Sequence, residues 1–95
     1  MDDLIHWKIE VKGTVQGVGY RARCLEAANE LGLVGSVRND PHAPSVVLIE
    51  VQGTKPKVSQ FLHTISGRRG LSDAKSVQVV GEISVNPELS EFSSR

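Results

Sequence analysis

The 95-residue sequence predicts an α+β fold in which one antiparallel sheet carries two helices on a single face. Three observations lead there. An apolar/polar alternation opens the chain as a strand. Two later segments switch to helical spacing. The connection Asp40-Pro41-His42-Ala43-Pro44-Ser45, between two strand-like runs, is too short to hold a helix and makes those strands antiparallel neighbours. The element order is therefore β-α-β-β-α-β.

Ile5, Trp7, Ile9 and Val11 alternate with His6, Lys8, Glu10 and Lys12, the pattern of a strand with one buried face. From Arg21 to Leu31 the period changes. Ala22, Leu25, Ala28 and Leu31 recur at intervals of three, and Gly32 stands where a helix-closing glycine belongs. Leu33 to Asn39 and Val46 to Gln52 read as the second and third strands. Thr54 is placed to cap a second helix with Pro56 in its first turn. Val58, Phe61, Leu62 and Ile65 form that helix's apolar face, and Gly67 ends it. Arg68 to Lys75 reads as loop. Val77, Val79, Gly81, Ile83 and Val85 share one parity and predict a fourth strand, ended by Asn86-Pro87, with a short fifth edge strand at Glu91 to Ser94. Right-handed crossovers on both βαβ halves give a ferredoxin-like sandwich with sheet order 4-1-3-2.

Composition narrows the function classes. Lys+Arg 11 against Asp+Glu 11 gives a net charge of +0, so no broad field draws nucleic acid or anionic membrane. Cys24 is the only cysteine, which excludes an intrachain disulfide and a cysteine-rich metal cluster. No run reaches the ~18 apolar residues that span a bilayer. The start, Met1-Asp2-Asp3-Leu4-Ile5-His6, is acidic and unlike a signal peptide. The expectation is a single domain over residues 1–95, monomeric and cytoplasmic. His6, His42 and His63 lack metal-ligand spacing and are expected at exposed positions, so neither metal nor cofactor is expected.

Gly13-Thr14-Val15-Gln16-Gly17-Val18-Gly19-Tyr20-Arg21 joins the first strand to the first helix. A glycine-bearing turn of this kind gathers backbone N–H groups, and the helix start adds positive potential. Arg21 supplies a planar fork that matches phosphate oxygens. The stretch thus reads as a small anion cradle. Gly17-Val18-Gly19-Tyr20-Arg21-Ala22 also matches a dinucleotide fingerprint, but the hairpin at residues 40–45 breaks the parallel βαβαβ order which that chemistry needs. No Gly-Lys-Ser/Thr follows, so a Walker loop is excluded. RNA-binding domains of this topology stack bases on central-strand aromatics. Val46-Val47-Leu48-Ile49-Glu50-Val51 has none, and the first strand offers only Trp7.

Val15-Gln16-Gly17-Val18-Gly19-Tyr20-Arg21, followed by Leu31-Gly32-Leu33-Val34-Gly35-Ser36-Val37-Arg38-Asn39, strongly resembles the acylphosphatase family. Two ordered motifs at the right separation carry the resemblance across most of residues 7–53. It departs at Ser36, where the family commonly has tryptophan, and at the 40–45 hairpin, which lacks the usual Asp-Gly turn and is about two residues longer. The resemblance implies hydrolysis of acyl phosphates to a carboxylate and inorganic phosphate without metal. It implies that Arg21 binds the phosphoryl group together with N–H groups of Val15, Gln16, Gly17, Val18, Gly19 and Tyr20. Asn39 is implied to hold the attacking water.

These roles agree with the chemistry. An acyl phosphate already carries a good leaving group, so the protein mainly positions water and stabilises equatorial oxygen charge. Tyr20 is expected to pack in the core and Cys24 to be a buried filler. Two rival readings are a carbamoyl-phosphate-handling module, like the N-terminal domain of hydrogenase-maturation carbamoyltransferases, and a non-catalytic interaction module that keeps the cradle.

Overall fold

The structure, a computed structural model, describes residues 3–14, 19–66 and 73–94. Its elements are β1 (Leu4–Thr14), α1 (Tyr20–Glu30), β2 (Val34–Asp40), β3 (Ala43–Thr54), α2 (Lys55–Ser66), β4 (Asp73–Glu82) and β5 (Phe92–Ser94). The sheet order is β4-β1-β3-β2-β5, which is the expected 4-1-3-2 with the short fifth strand added at the β2 edge. β1 pairs antiparallel with both β3 and β4, β3 pairs antiparallel with β2, and β5 pairs parallel with β2.

Alternation decides which sheet face is covered. Ile9 and Val11 of β1, Val37 of β2, and Val47, Ile49 and Val51 of β3 are all buried and meet the helices. Val58, Phe61 and Ile65 descend from α2, as the i, i+3, i+7 spacing implied. Burying each such side chain contributes about 1.5–3 kcal/mol. Phe92 of β5 closes the layer, its ring 6.0 Å from that of Phe61 at 58°.

The core stripe of α1 differs from the expected one. Tyr20, Cys24, Ala27 and Ala28 are buried, Leu25 and Leu31 are partly buried, and Ala22 is exposed. Strict three-residue spacing falls short of the roughly 3.6 residues per turn, so that row drifts around the helix instead of keeping one face. Gly32 does close α1 as read, its N–H bonded to Asn29 O and that of Leu33 to Ala28 O. Gly35 is required by close approach: a Cβ there would collide with the Glu50 carbonyl across the β2–β3 pair.

The expected fourth strand is displaced toward its start. It spans Asp73–Glu82 rather than Val77 to Val85, and Asp73 to Lys75 belong to it instead of to the preceding loop. Ile83 to Glu91 cross the sheet instead. The Ile83 N–H bonds to His6 O, Gln52 exchanges two hydrogen bonds with the Asn86 backbone (3.0 and 2.6 Å), and the Gly35 N–H bonds to Glu91 O. These contacts lead the chain from the β4 edge over β1 and β3 to β5.

That crossing explains a second correction. His6 was expected at an exposed position, and His42 and His63 are exposed, but His6 is only 4% exposed. Its Nδ1–H donates to Ser84 O at 3.0 Å, beneath the crossing segment. Alternation had correctly put His6 on the face away from the helices. A segment nearly eighty positions later covers that face.

Candidate active site

β1 and β2 end, and α1 begins, at one end of the sheet. Val15 to Val18 and Gly67 to Ser72 lie outside the described residues, so the readings placed on Val15, Gln16, Gly17 and Val18, on Gly67 as a helix stop and on Arg68-Arg69 are not addressed there. The described part of the site is Gly19, Tyr20, Arg21 and Asn39.

Gly19 precedes α1 in the left-handed region (φ 79°, ψ 15°), a conformation that glycine adopts without a Cβ penalty. The Arg23 N–H bonds to Gly19 O at 3.1 Å. The N–H groups of Tyr20, Arg21 and Ala22 therefore stand ahead of the helical ladder and project from its start. Two features leave this end electropositive. Among the described residues no side chain caps it, and no acidic residue occupies its first turn. Arg21, half-buried at the second position of α1, adds a cation where the helix dipole disfavours one. A local choice that opposes helix stability at a loop–helix junction is the kind of conflict expected at a functional or strained site.

Tyr20 anchors this turn. It is 1% exposed, and its hydroxyl donates to Ile65 O at 2.9 Å. Arg23 lies 5.6 Å from the centre of the Tyr20 ring, within cation–π range. Burial, reinforced by Cys24, pushes the Tyr20 hydroxyl well above the ordinary phenol range. Burial also pushes the Cys24 thiol up to about 12, against the smaller opposing effects of Tyr20 and Arg23. Cys24 is thus a buried, protonated filler, as read.

Asn39 comes from the neighbouring element. Val11 faces Val47 across β1–β3, and Val47 faces Asn39 across β2–β3. Val11 and Val47 are fully buried against the helices, so alternation directs Asn39 to the helix face as the polar end of that row. Asn39 is half-buried, and Arg21 and Asn39 each make a polar, ionic or ring contact. The fold thus brings these two residues, eighteen positions apart, to the same face and the same end of the sheet.

Ser36 is buried on the opposite face. It lines a groove of about 240 Å³ with Lys8, Arg38, Leu48, Glu50 and Val80. The small side chain leaves space there, away from the Asn39 side of the sheet. Among the described residues, no three His, Cys, Asp or Glu side chains gather as a metal-binding group, and no helix is long and apolar enough to cross a membrane.

A family model described as Acylphosphatase matches residues 7–94. The chain belongs to the acylphosphatase family. A curated acylphosphatase of Oceanobacillus iheyensis is 40% identical over 89 residues, covering 92% of this chain and 93% of that protein. One from Thermus thermophilus is 42% identical over 69 residues, covering 73% of this chain and 76% of its own length. Among solved structures, acylphosphatase from Bacillus subtilis superposes with a TM-score of 0.85 at 25% identity, covering 96% of this chain and 98% of that one. Full-length HypF in a phosphate- and nucleotide-bound form gives 0.82 at 26% identity, with 100% of this chain matching 12% of that chain. The acylphosphatase α+β sheet with two helices is therefore the architecture of this chain.

Sequence reasoning gave Asp40 no role at this site, yet its Oδ1 accepts the His42 N–H at 2.9 Å beside Asn39. The signal was present: aspartate directly before proline is the opening of a side-chain-closed turn.

Proposed function

We propose that this chain hydrolyses acyl phosphates to a carboxylate and inorganic phosphate. Arg21 and the N–H groups of Val15 to Tyr20 hold the phosphoryl oxygens, and Asn39 holds the attacking water. The supporting observation is that Asn39 ends the helix-facing row Val11–Val47–Asn39 at the end of the sheet where α1 begins, with Arg21 at its second position.

The chemistry asks little covalent work of the protein. Water oxygen bonds to phosphorus, the bond from phosphorus to the acyl oxygen breaks, and its electron pair leaves with the carboxylate. Asn39 accepts a hydrogen bond from the water through Oδ1 but is too weak a base to take its proton. That proton passes to a phosphoryl oxygen of the substrate. A guanidinium and fixed amides stabilise the equatorial oxygens without reorganising. This donor set supplies positive charge without a metal ion. A grip on the phosphoryl end alone makes the acyl group permissive. In this reading the 95 residues act as one domain, as a cytoplasmic monomer on small molecules.

The test is hydrolysis of benzoyl phosphate and carbamoyl phosphate by the protein, Arg21→Ala and Asn39→Ala, with folding checked by circular dichroism. Turnover of benzoyl phosphate by the parent, lost in both folded variants, is expected. Turnover of carbamoyl phosphate alone would select the carbamoyl-handling alternative. Inhibitory phosphate binding without turnover of either would select the non-catalytic one.

A further inference from the structure

β2 and β3 meet at Asp40-Pro41-His42-Ala43, with Asp40 paired to Ala43. Proline holds φ near about −65°. Among the described residues no non-glycine has a positive φ. The primed turns and type II, each of which needs one, are therefore excluded. The unprimed turns that remain have a twist that splays hairpin strands.

Two features accommodate that mismatch. The register breaks between Asn39 and Asp40: Asn39 faces Val47 while Asp40 faces Ala43, leaving residues 44–46 as extra chain on the β3 side. The Asp40 carboxylate also accepts the His42 N–H at 2.9 Å. This is the bond that an aspartate at the first position of a turn makes, and it stands in for the flexibility of an Asp-Gly turn.

The break falls on the peptide that follows Asn39. Successive strand residues face opposite ways, so a slip of one position would swing Asn39 off the helix face. We propose that Asp40 is a positioning residue for Asn39. By closing the Pro41-His42 turn, it fixes where β2 stops pairing with β3 and which way Asn39 points. The inference rests on the water-holding role proposed for Asn39.

The experiment measures kcat, KM and inhibition by inorganic phosphate for Asp40→Ala, Asp40→Asn, Asn39→Ala and the Asp40→Ala/Asn39→Ala double variant, at a temperature where all are folded. Displacing a reacting group by a fraction of an ångström is costly, so Asp40→Ala should lower kcat about tenfold. KM and phosphate inhibition should hold, because the phosphoryl grip is untouched. Asparagine keeps an acceptor oxygen at the same place, so Asp40→Asn should return kcat to within about twofold. The double variant should be no slower than Asn39→Ala, a non-additivity that a general loss of stability would not produce. Full kcat in Asp40→Ala with Asn39→Ala inactive overturns this inference and leaves the proposed function standing. Equal losses in Asp40→Ala and Asp40→Asn overturn it too. Full turnover by Asn39→Ala overturns both readings together.

Discussion

Tyr20 donates its hydroxyl to the Ile65 carbonyl at 2.9 Å, joining the first turn of α1 to the last turn of α2. The Ile65 carbonyl is one of the last four of its helix and has no intrahelical donor. The tyrosine supplies that bond from the residue next to Arg21. One contact therefore caps α2 and fixes the start of α1. Tyr20→Phe removes the donor and with it a buried hydrogen bond, which should cost about 0.5–1.5 kcal/mol. Urea denaturation of the two proteins checks it, and an unchanged midpoint would contradict the capping role.

At the proposed site, losing one preorganised donor typically costs ~2.7–4 kcal/mol of barrier. Arg21→Ala should reach at least that range, because the guanidinium is the cation of the cradle. Arg21→Lys should recover only part of the rate, since an ammonium lacks the bidentate fork. Steady-state kinetics on benzoyl phosphate decide the order. A lysine variant as fast as the parent would show that point charge suffices.

A metal chelator should leave the turnover rate unchanged, because in the proposed mechanism Arg21 and backbone amides carry the charge that a metal ion would otherwise supply. Dialysis against chelator followed by assay with and without added divalent cations checks this. A loss restored by one particular cation would contradict it.

Alkaline conditions should unfold the protein earlier than its surface charge implies. Burial raises the Cys24 thiol from the ordinary 9.0 to about 12, and Tyr20 moves in the same direction. The unfolded chain therefore releases its thiol proton first. The stabilisation is fully present below the unfolded value and is lost as pH rises from about 9 towards 12. Denaturation midpoints across that window should fall, and Cys24→Val should flatten the part due to the thiol. In the native state near neutral pH, Cys24 should resist alkylation until denaturant is added.

Gly35 and Gly81 should respond oppositely to alanine. A Cβ at Gly35 meets the Glu50 carbonyl and must adopt a φ of 136°, whereas Gly81 has open space around it. Gly35→Ala should lower stability by about 1–3 kcal/mol. Gly81→Ala should be neutral or raise it by roughly 0.4–1 kcal/mol through the unfolded state. Thermal melts of both variants make the comparison.

Much of the fold was legible because its signals are local. Val58, Phe61 and Ile65 announce the buried face of α2, and the short connection after Asn39 announces the β2–β3 pair. The candidate residues Arg21 and Asn39 were legible from motif and topology together. The α1 stripe was misplaced because Ala22, Leu25, Ala28 and Leu31 are apolar in a row that drifts round the helix. The start of β4 was missed because Asp73 and Lys75 have no apolar alternation to mark them, while its pairing to β1 does not need any. The Asp40 tie was missed because the six residues after Asn39 read as a long hairpin connection without an Asp-Gly turn, whereas four of them form a closed turn with its register break.

Hydrophobic period and turn chemistry act between near neighbours, so the order of elements, the sheet face that takes the helices and the Gly-rich loop–helix junction could be read from the chain alone. The burial of His6 and Gln52 and the point where the β2–β3 pairing ends beyond Asn39 could not. His6 and Gln52 are buried only because Ser84 and Asn86 return across the sheet. Asn39 faces the helices because its pairing with Val47 holds the register up to the break between Asn39 and Asp40. Both outcomes depend on contacts between residues that sequence distance does not relate, formed only once β-sheet pairing has brought them together.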